Sequence, residues 1–141
     1  GRTAEEEWWF GMLKVRWPFL HYMRSEGITV FLGTDAAFGL WPGSACWPGF
    51  QEMARAIEIL VRWAEFTPMD AIAAATREAA RALRLDHEIG TLTAGKRADL
   101  ILFAGDPLRD IRALRRPESV YRDGRLVAHQ GQLVLPGARD T

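Results

Sequence analysis

The sequence is short of the residues that make cross-links, metal clusters and membrane spans. It has one cysteine, Cys46, in 141 residues. That excludes a disulfide within the chain and any CxxC zinc site, and it favours a reducing, cytoplasmic compartment. Histidine is scarce too: His21, His87 and His129 are far apart, and no pair has metal-ligand spacing. No apolar run approaches the roughly 18 residues needed to cross a bilayer. Charge of either sign is not in excess, since 18 basic residues face 18 acidic ones. Neither a nucleic-acid footprint nor a polybasic membrane patch is expected. There is no internal repeat, no low-complexity stretch and no recognisable signal peptide. The chain starts at Gly1 without a methionine. It reads as a piece of a longer polypeptide, which leaves a leader upstream open.

What is present can fold. The chain is 48% hydrophobic and 26% charged, a composition of globular domains rather than of disorder. Thr3 to Glu6 form a capping box that predicts a helix to about Lys14. Pro18 suits the start of a second short helix, with Phe19, Leu20 and Met23 on one face and Gly27 in the left-handed position beyond its end. Ile28-Thr29-Val30-Phe31-Leu32 is short, β-branched and almost wholly apolar. It predicts a strand covered on both faces, the kind found in parallel sheets. The stretch from Phe38 to Gly49 carries three glycines and two prolines and predicts a loop.

Helical period returns over 50–64, where Met53, Ile57, Leu60, Val61 and Ala64 share a face and Glu52, Arg55, Glu58 and Arg62 lie mostly off it. Thr67-Pro68-Met69-Asp70 predicts the start of another helix, and Thr76 is a candidate cap for a third. After Gly90 the period changes. Asp99 to Phe103 predicts a strand, Gly105-Asp106-Pro107 a turn, and Glu118–Arg122 with Arg125–His129 a hairpin closed by Asp123-Gly124. Gln132 to Leu135 can form one more strand. Residues 1–88 thus read as helices around one strand, and residues 89–141 as a β-rich part. One buried strand cannot make a sheet alone, so its neighbours are expected in sequence outside this chain or in another chain.

Asp35 stands immediately after that strand, in Gly33-Thr34-Asp35-Ala36. Active sites of α/β folds collect at the C-terminal ends of strands. A carboxylate there can hold a metal and move a proton. The same four residues also make a good turn and helix cap, and on their own they do not separate the two readings.

The order of motifs along the chain resembles the end of the amidohydrolase superfamily, in its imidazolonepropionase-like and Xaa-Pro-dipeptidase-like branch. The resemblance runs from about residue 27 to 135. It is carried by Gly33-Thr34-Asp35-Ala36, Thr67-Pro68-Met69-Asp70, Ala80-Arg81-Ala82-Leu83, Ile89-Gly90-Thr91, Gly95-Lys96-Arg97-Ala98-Asp99-Leu100, Gly105-Asp106-Pro107-Leu108 and the hairpin from Val120 to Gly124.

This resemblance implies an α/β fold: the C-terminal part of a (β/α)8 TIM-like barrel, its last strand and following helices, plus part of a small β-sandwich built from both chain ends. Residues 1–88 would be the barrel segment and 89–141 the sandwich strands. It further implies hydrolysis of a C–N bond, amide, cyclic amide or peptide-like, through a metal-activated water. Asp35 would be metal ligand and general base. The cofactor would be a divalent metal, zinc by family habit, with one or two ions in the complete enzyme. The family's His-x-His, its bridging lysine or carboxylate and its two further histidines would lie upstream. This chain alone is therefore expected to bind no metal stably and to be inactive.

Expected partners are a small-molecule substrate and the remainder of the barrel upstream; a homo-oligomer is compatible with the sequence. Trp41 and Trp47 flank the loop after Asp35 and are candidates either to stack on substrate or to pack the loop onto the barrel. Cys46 reads as a spectator thiol. Lys96, Arg97 and Asp99 read as structural, and Arg112, Arg115 and Arg116 as a solvated face. Two other functions stay open: a non-catalytic fragment or degenerate paralogue that binds or assembles, and a deaminase of the same fold.

Overall fold

In the computed structural model, residues 18–33 and 52–134 are described. A helix over residues 18–25 (α1) ends as its sequence predicts. Gly27 takes φ +71°. The Gly27 amide donates to Arg24 O (3.0 Å) and the Ile28 amide to Met23 O (2.9 Å). This pair of bonds is a Schellman closure, which reverses the chain and satisfies two helix-end carbonyls.

Residues 28–33 then run without a sheet ladder among the described residues. The strand predicted over 28–32 is not realised as one. A strand exists by hydrogen bonding to a neighbour, and here the Leu32 amide donates instead to Ala74 O on a helix, at 3.0 Å. Nor are both faces covered. Val30 and Leu32 pack against the core, whereas Ile28 and Phe31 are 47% and 55% exposed.

Three helices follow: α2 (Glu52–Trp63), α3 (Pro68–Ala75) and α4 (Arg77–Ala82). α2 buries Ile57 and Leu60, as its period requires. Met53, on the same predicted stripe, is exposed. α3 begins as expected. Thr67 Oγ1 accepts from the Asp70 amide at 3.1 Å and Pro68 sits in the first turn, where its missing N–H costs nothing. Ala71 and Ala74 are fully or almost fully buried, and their small size lets the 28–33 segment and α2 approach closely. Thr76 does not cap α4 through its side chain. Its hydroxyl donates back to Ile72 O at 2.7 Å, the local alternative open to threonine at a helix end.

The β-rich part is a four-stranded antiparallel sheet in the order β1-β2-β3-β4: Leu100–Phe103, Pro117–Arg122, Arg125–His129 and Gln132–Leu133. A 3-10 turn, Ile111–Arg115, lies between β1 and β2. At the hairpin Asp123 and Gly124 take φ +49° and +75°. Two consecutive left-handed residues match the twist of the flanking strands, which is why Asp-Gly works there. Gln130-Gly131 repeats the device between β3 and β4, at φ +47° and +79°. A bulge in the β2–β3 register falls between Val120 and Tyr121.

The core is formed by Ile57, Leu60, Ala64, Phe66, Ala71, Ala74 and Ile111. Ile111 belongs to the 3-10 turn, so the sheet part is docked on the helices through that turn rather than through its strands. No helix among the described residues is long and apolar enough to cross a membrane.

Candidate active site

The path toward Asp35 is set by α1 and α3. The Gly27 reversal starts the segment, Val30 and Leu32 press into the core, and the Leu32–Ala74 bond fastens its far end to α3. The chain reaches Gly33 from a fixed support. Asp35, Trp41, Trp47 and Cys46 lie beyond it, outside the described residues, and the chain re-enters the described part at α2.

The histidines are dispersed. His21 and His87 are exposed beside Glu65 and Glu88, at 3.8 and 3.3 Å. His129 Nδ1 shares a hydrogen bond with Ser119 Oγ across β2 and β3, at 2.9 Å. Among the described residues no group of three or more His, Cys, Asp or Glu could hold a metal.

The opposite end of the 28–33 segment borders a shallow cavity of about 310 Å³, lined by Arg24, Ile28, Phe66, Asp70, Arg77 and Glu78 among others. Its three arginines share two carboxylates. Arg24 Nη2 donates to Asp70 Oδ2 at 2.9 Å, and its guanidinium lies 4.2 Å from the centroid of the Phe66 ring. Arg77 Nε and Arg81 Nη1 meet Glu78 at 2.6 and 3.1 Å. The hydrogen bond from Arg77, followed by Arg81, holds the Glu78 carboxyl below its ordinary value of 4.5. These pairs tie α1 to α3 and brace α4, and they place no acid or base free for chemistry at this end.

The string Gly95 to Leu100 has a structural job. Lys96 Nζ donates to Asp86 O (2.5 Å) and Thr91 Oγ1 (2.6 Å), gathering the 86–91 loop around one ammonium. Asp99 Oδ1 accepts from the Asp123 amide at 2.7 Å, and Arg97 Nε donates to Asp123 Oδ1 at 3.0 Å. Asp123, with Asp99 below it, raises the Arg97 pKa further above its ordinary range. Arg97 and Asp99 therefore brace the hairpin turn, within the structural role expected of the motif.

Gly90 is needed for a different reason. It takes φ +90°, and a Cβ there would stand 2.6 Å from the Ala80 Cβ and 3.2 Å from Arg77 Cα and Thr76 O. The backbone passes so close to α4 that a side chain has no room.

One charged group departs from its expected place. Glu58 is buried, at 4% exposure, not turned away from the core. Arg115 is exposed, as expected of a solvated face, but its guanidinium is also ion-paired with Glu58 Oε2. Arg112, by contrast, bonds its own neighbour Asp110 at 2.9 Å. The one signal available in sequence was Arg62, four residues beyond Glu58, which donates to Glu58 Oε1 at 3.1 Å.

Known proteins resemble this chain along most of its length. The profile described as Amidohydrolase family matches residues 15–127. A 5-methylthioadenosine/S-adenosylhomocysteine deaminase from Symbiobacterium thermophilum is 36% identical over 121 residues, 79% of this chain and 27% of that protein. An imidazolonepropionase from Geobacillus thermodenitrificans is 30% identical over 113 residues, 78% of this chain and 25% of that protein. The crystal structure of a Xaa-Pro dipeptidase with methionine bound in its active site superposes with a TM-score of 0.58 at 31% identity, covering 78% of this chain and 25% of that one. The chain thus spans about a quarter of the length of these relatives.

Proposed function

Since the chain belongs to the amidohydrolase family, we propose that it is the closing part of a metal-dependent hydrolase of C–N bonds in which Asp35 serves as metal ligand and general base. What supports this most directly is the motif Gly33-Thr34-Asp35-Ala36 inside the stretch that the family profile matches, next to a segment whose Leu32 amide bonds Ala74 O on α3.

The metal is a proposal drawn from the family. The described residues do not supply its ligand set, so Asp35 is the one ligand assigned to this chain and the histidines are assigned to the remainder of the barrel. When bound, such a metal lowers the pKa of its water and polarises the scissile carbonyl. Asp35 takes a proton from the attacking water and hands it to the leaving nitrogen. Trp41 and Trp47, in the segment after Asp35, are proposed to line the pocket of a small-molecule substrate. The fold assigned to the whole protein is a (β/α)8 barrel with a small β-sandwich, to which residues 100–133 contribute strands.

The relatives named a deaminase, an imidazolonepropionase and a dipeptidase support C–N cleavage as the class. The 36% identity to the deaminase over 121 residues favours, as a second reading, removal of an amino group rather than amide hydrolysis.

The decisive experiment is Asp35→Asn in the full-length protein, with kcat, metal content and melting temperature measured together. Asparagine keeps the shape but not the basicity. Loss of a general base lowers kcat by about 10²–10⁴-fold while KM changes much less, and Asp35→Ala lowers metal content further. If Asp35 were only a turn residue, asparagine would be nearly silent; near-wild-type turnover with full metal ends the catalytic assignment.

A further inference from the structure

Glu58 is the most buried charged group among the described residues, and two arginines from different elements pair with it. Arg62 is on its own helix, one turn on, and donates to Oε1 at 3.1 Å. Arg115 comes from the 3-10 turn between β1 and β2, and its guanidinium pairs with Oε2. Oε2 itself is shielded from solvent and makes no hydrogen bond of good geometry. The side chains differ sharply in exposure: 5% for Glu58 against 48% for Arg115. The carboxylate is carried on the core face of α2, beside Ile57 and Leu60, and the guanidinium closes over it from outside.

Apolar side chains of both elements also meet in the core: Ile57 and Leu60 from α2, Ile111 from the turn, and Leu114 at the margin. Such burial is strong but non-directional. It tolerates a small slide or rotation of the 3-10 turn along α2. A charge placed inside that contact resists such movement, because displacing the turn draws Arg115 off Glu58 and leaves the buried carboxylate short of that partner. Arg62 cannot serve in its place, since it moves with the same helix.

We propose that Glu58 and Arg115 form a register pin, which makes the docking of the β-rich part on the helical part unique. Apolar contact supplies most of the adhesion between the two parts, and the ion pair selects one arrangement. The pin acts across 57 positions of sequence, and it is independent of the catalytic role of Asp35.

The test is a double-mutant cycle in the full-length protein with Glu58→Met, Arg115→Met and the pair together, followed by equilibrium unfolding and backbone amide exchange. Removing one partner of a buried ion pair is costly because the other charge is stranded. Arg62 remains and Arg115 is half exposed, so Arg115→Met is expected to raise the unfolded fraction on the order of 10–100-fold, at the weak end for buried pairs. The double variant recovers most of that loss. Its amides in α2 and in the 3-10 turn nevertheless exchange faster than in the wild type, because the apolar contact has lost its single register. Arg115→Lys, which keeps charge without the planar fork, falls between. A silent Arg115→Met overturns the proposal, as do strictly additive single effects. So does a double variant with wild-type exchange in both elements, since apolar packing alone would then suffice. If a single variant fails to accumulate, the double variant still decides through its exchange pattern.

Discussion

The two parts of this molecule solve the same problem in opposite ways. The β-rich part, from β1 to β4, finds its backbone partners nearby: each strand pairs with the next in sequence, and both tight turns are closed by left-handed two-residue loops. The helical part does not close so neatly. Its helices satisfy themselves, but residues 28–33 find no ladder among the described residues and expose Ile28 and Phe31. The difference teaches what each part needs from outside itself. The β-rich part also exposes Ile101, Leu102 and Leu133, so the contrast lies in the backbone: its strands pair with one another, whereas residues 28–33 have no ladder among the described residues and need a neighbour to gain one.

That contrast can be broken or sharpened by mutation, and the largest effect belongs to the helical side. Asp35→Asn should cost about 10²–10⁴-fold in kcat, whereas Asp99→Asn at the hairpin brace should leave kcat in place and act on stability. Steady-state rates of both variants check this; equal losses would erase the functional division between the parts.

Next comes the core. Leu60→Ala removes a buried side chain on α2 and is expected to destabilise by about 2–5 kcal/mol. Leu133→Ala on β4, at 79% exposure, should stay within about 0.5 kcal/mol. Denaturant titration of the two variants side by side compares them; a costly Leu133→Ala would show that β4 is covered in the full-length protein.

Gly90→Ala tests the seam between the parts. A left-handed backbone and a Cβ 2.6 Å from the Ala80 Cβ together should cost about 2–4 kcal/mol. The paired variant Ala80→Gly with Gly90→Ala should recover part of the steric share and none of the backbone share. Full recovery would show that φ at residue 90 is not strained.

The smallest effect is electrostatic. Arg77 and then Arg81 lower the Glu78 pKa, so Glu78 binds its proton more weakly folded than unfolded. Its contribution to stability is therefore present above the ordinary value near 4.5 and is lost as pH falls through the lower folded value. Melting temperature of wild type and Glu78→Gln, followed downward from pH 6, should converge in acid. A constant difference across that range would locate the effect in packing.

Much of the fold could be read directly. The Thr67-Pro68 start, the Gly27 stop, the core stripe of α2 and the Asp123-Gly124 hairpin are local devices, and a few neighbouring residues settle each one by capping, chirality or periodicity. The order of motifs, from Gly33-Thr34-Asp35 to the hairpin, carried the family as well. The candidate site is legible only in that order: Asp35, Trp41 and Trp47 fall outside the described residues, and their roles rest on the family's chemistry.

Other features belonged to the tertiary structure alone. No local rule places Arg115 over Glu58, because Coulomb attraction acts through space between residues that the chain keeps far apart. No periodicity reveals that Gly90 grazes α4, because the clash depends on an approach that exists only after folding. Residues 28–32 have every local mark of a strand. Whether they become one is decided by a neighbour, since a strand's hydrogen bonds lie outside itself, while a helix carries its own.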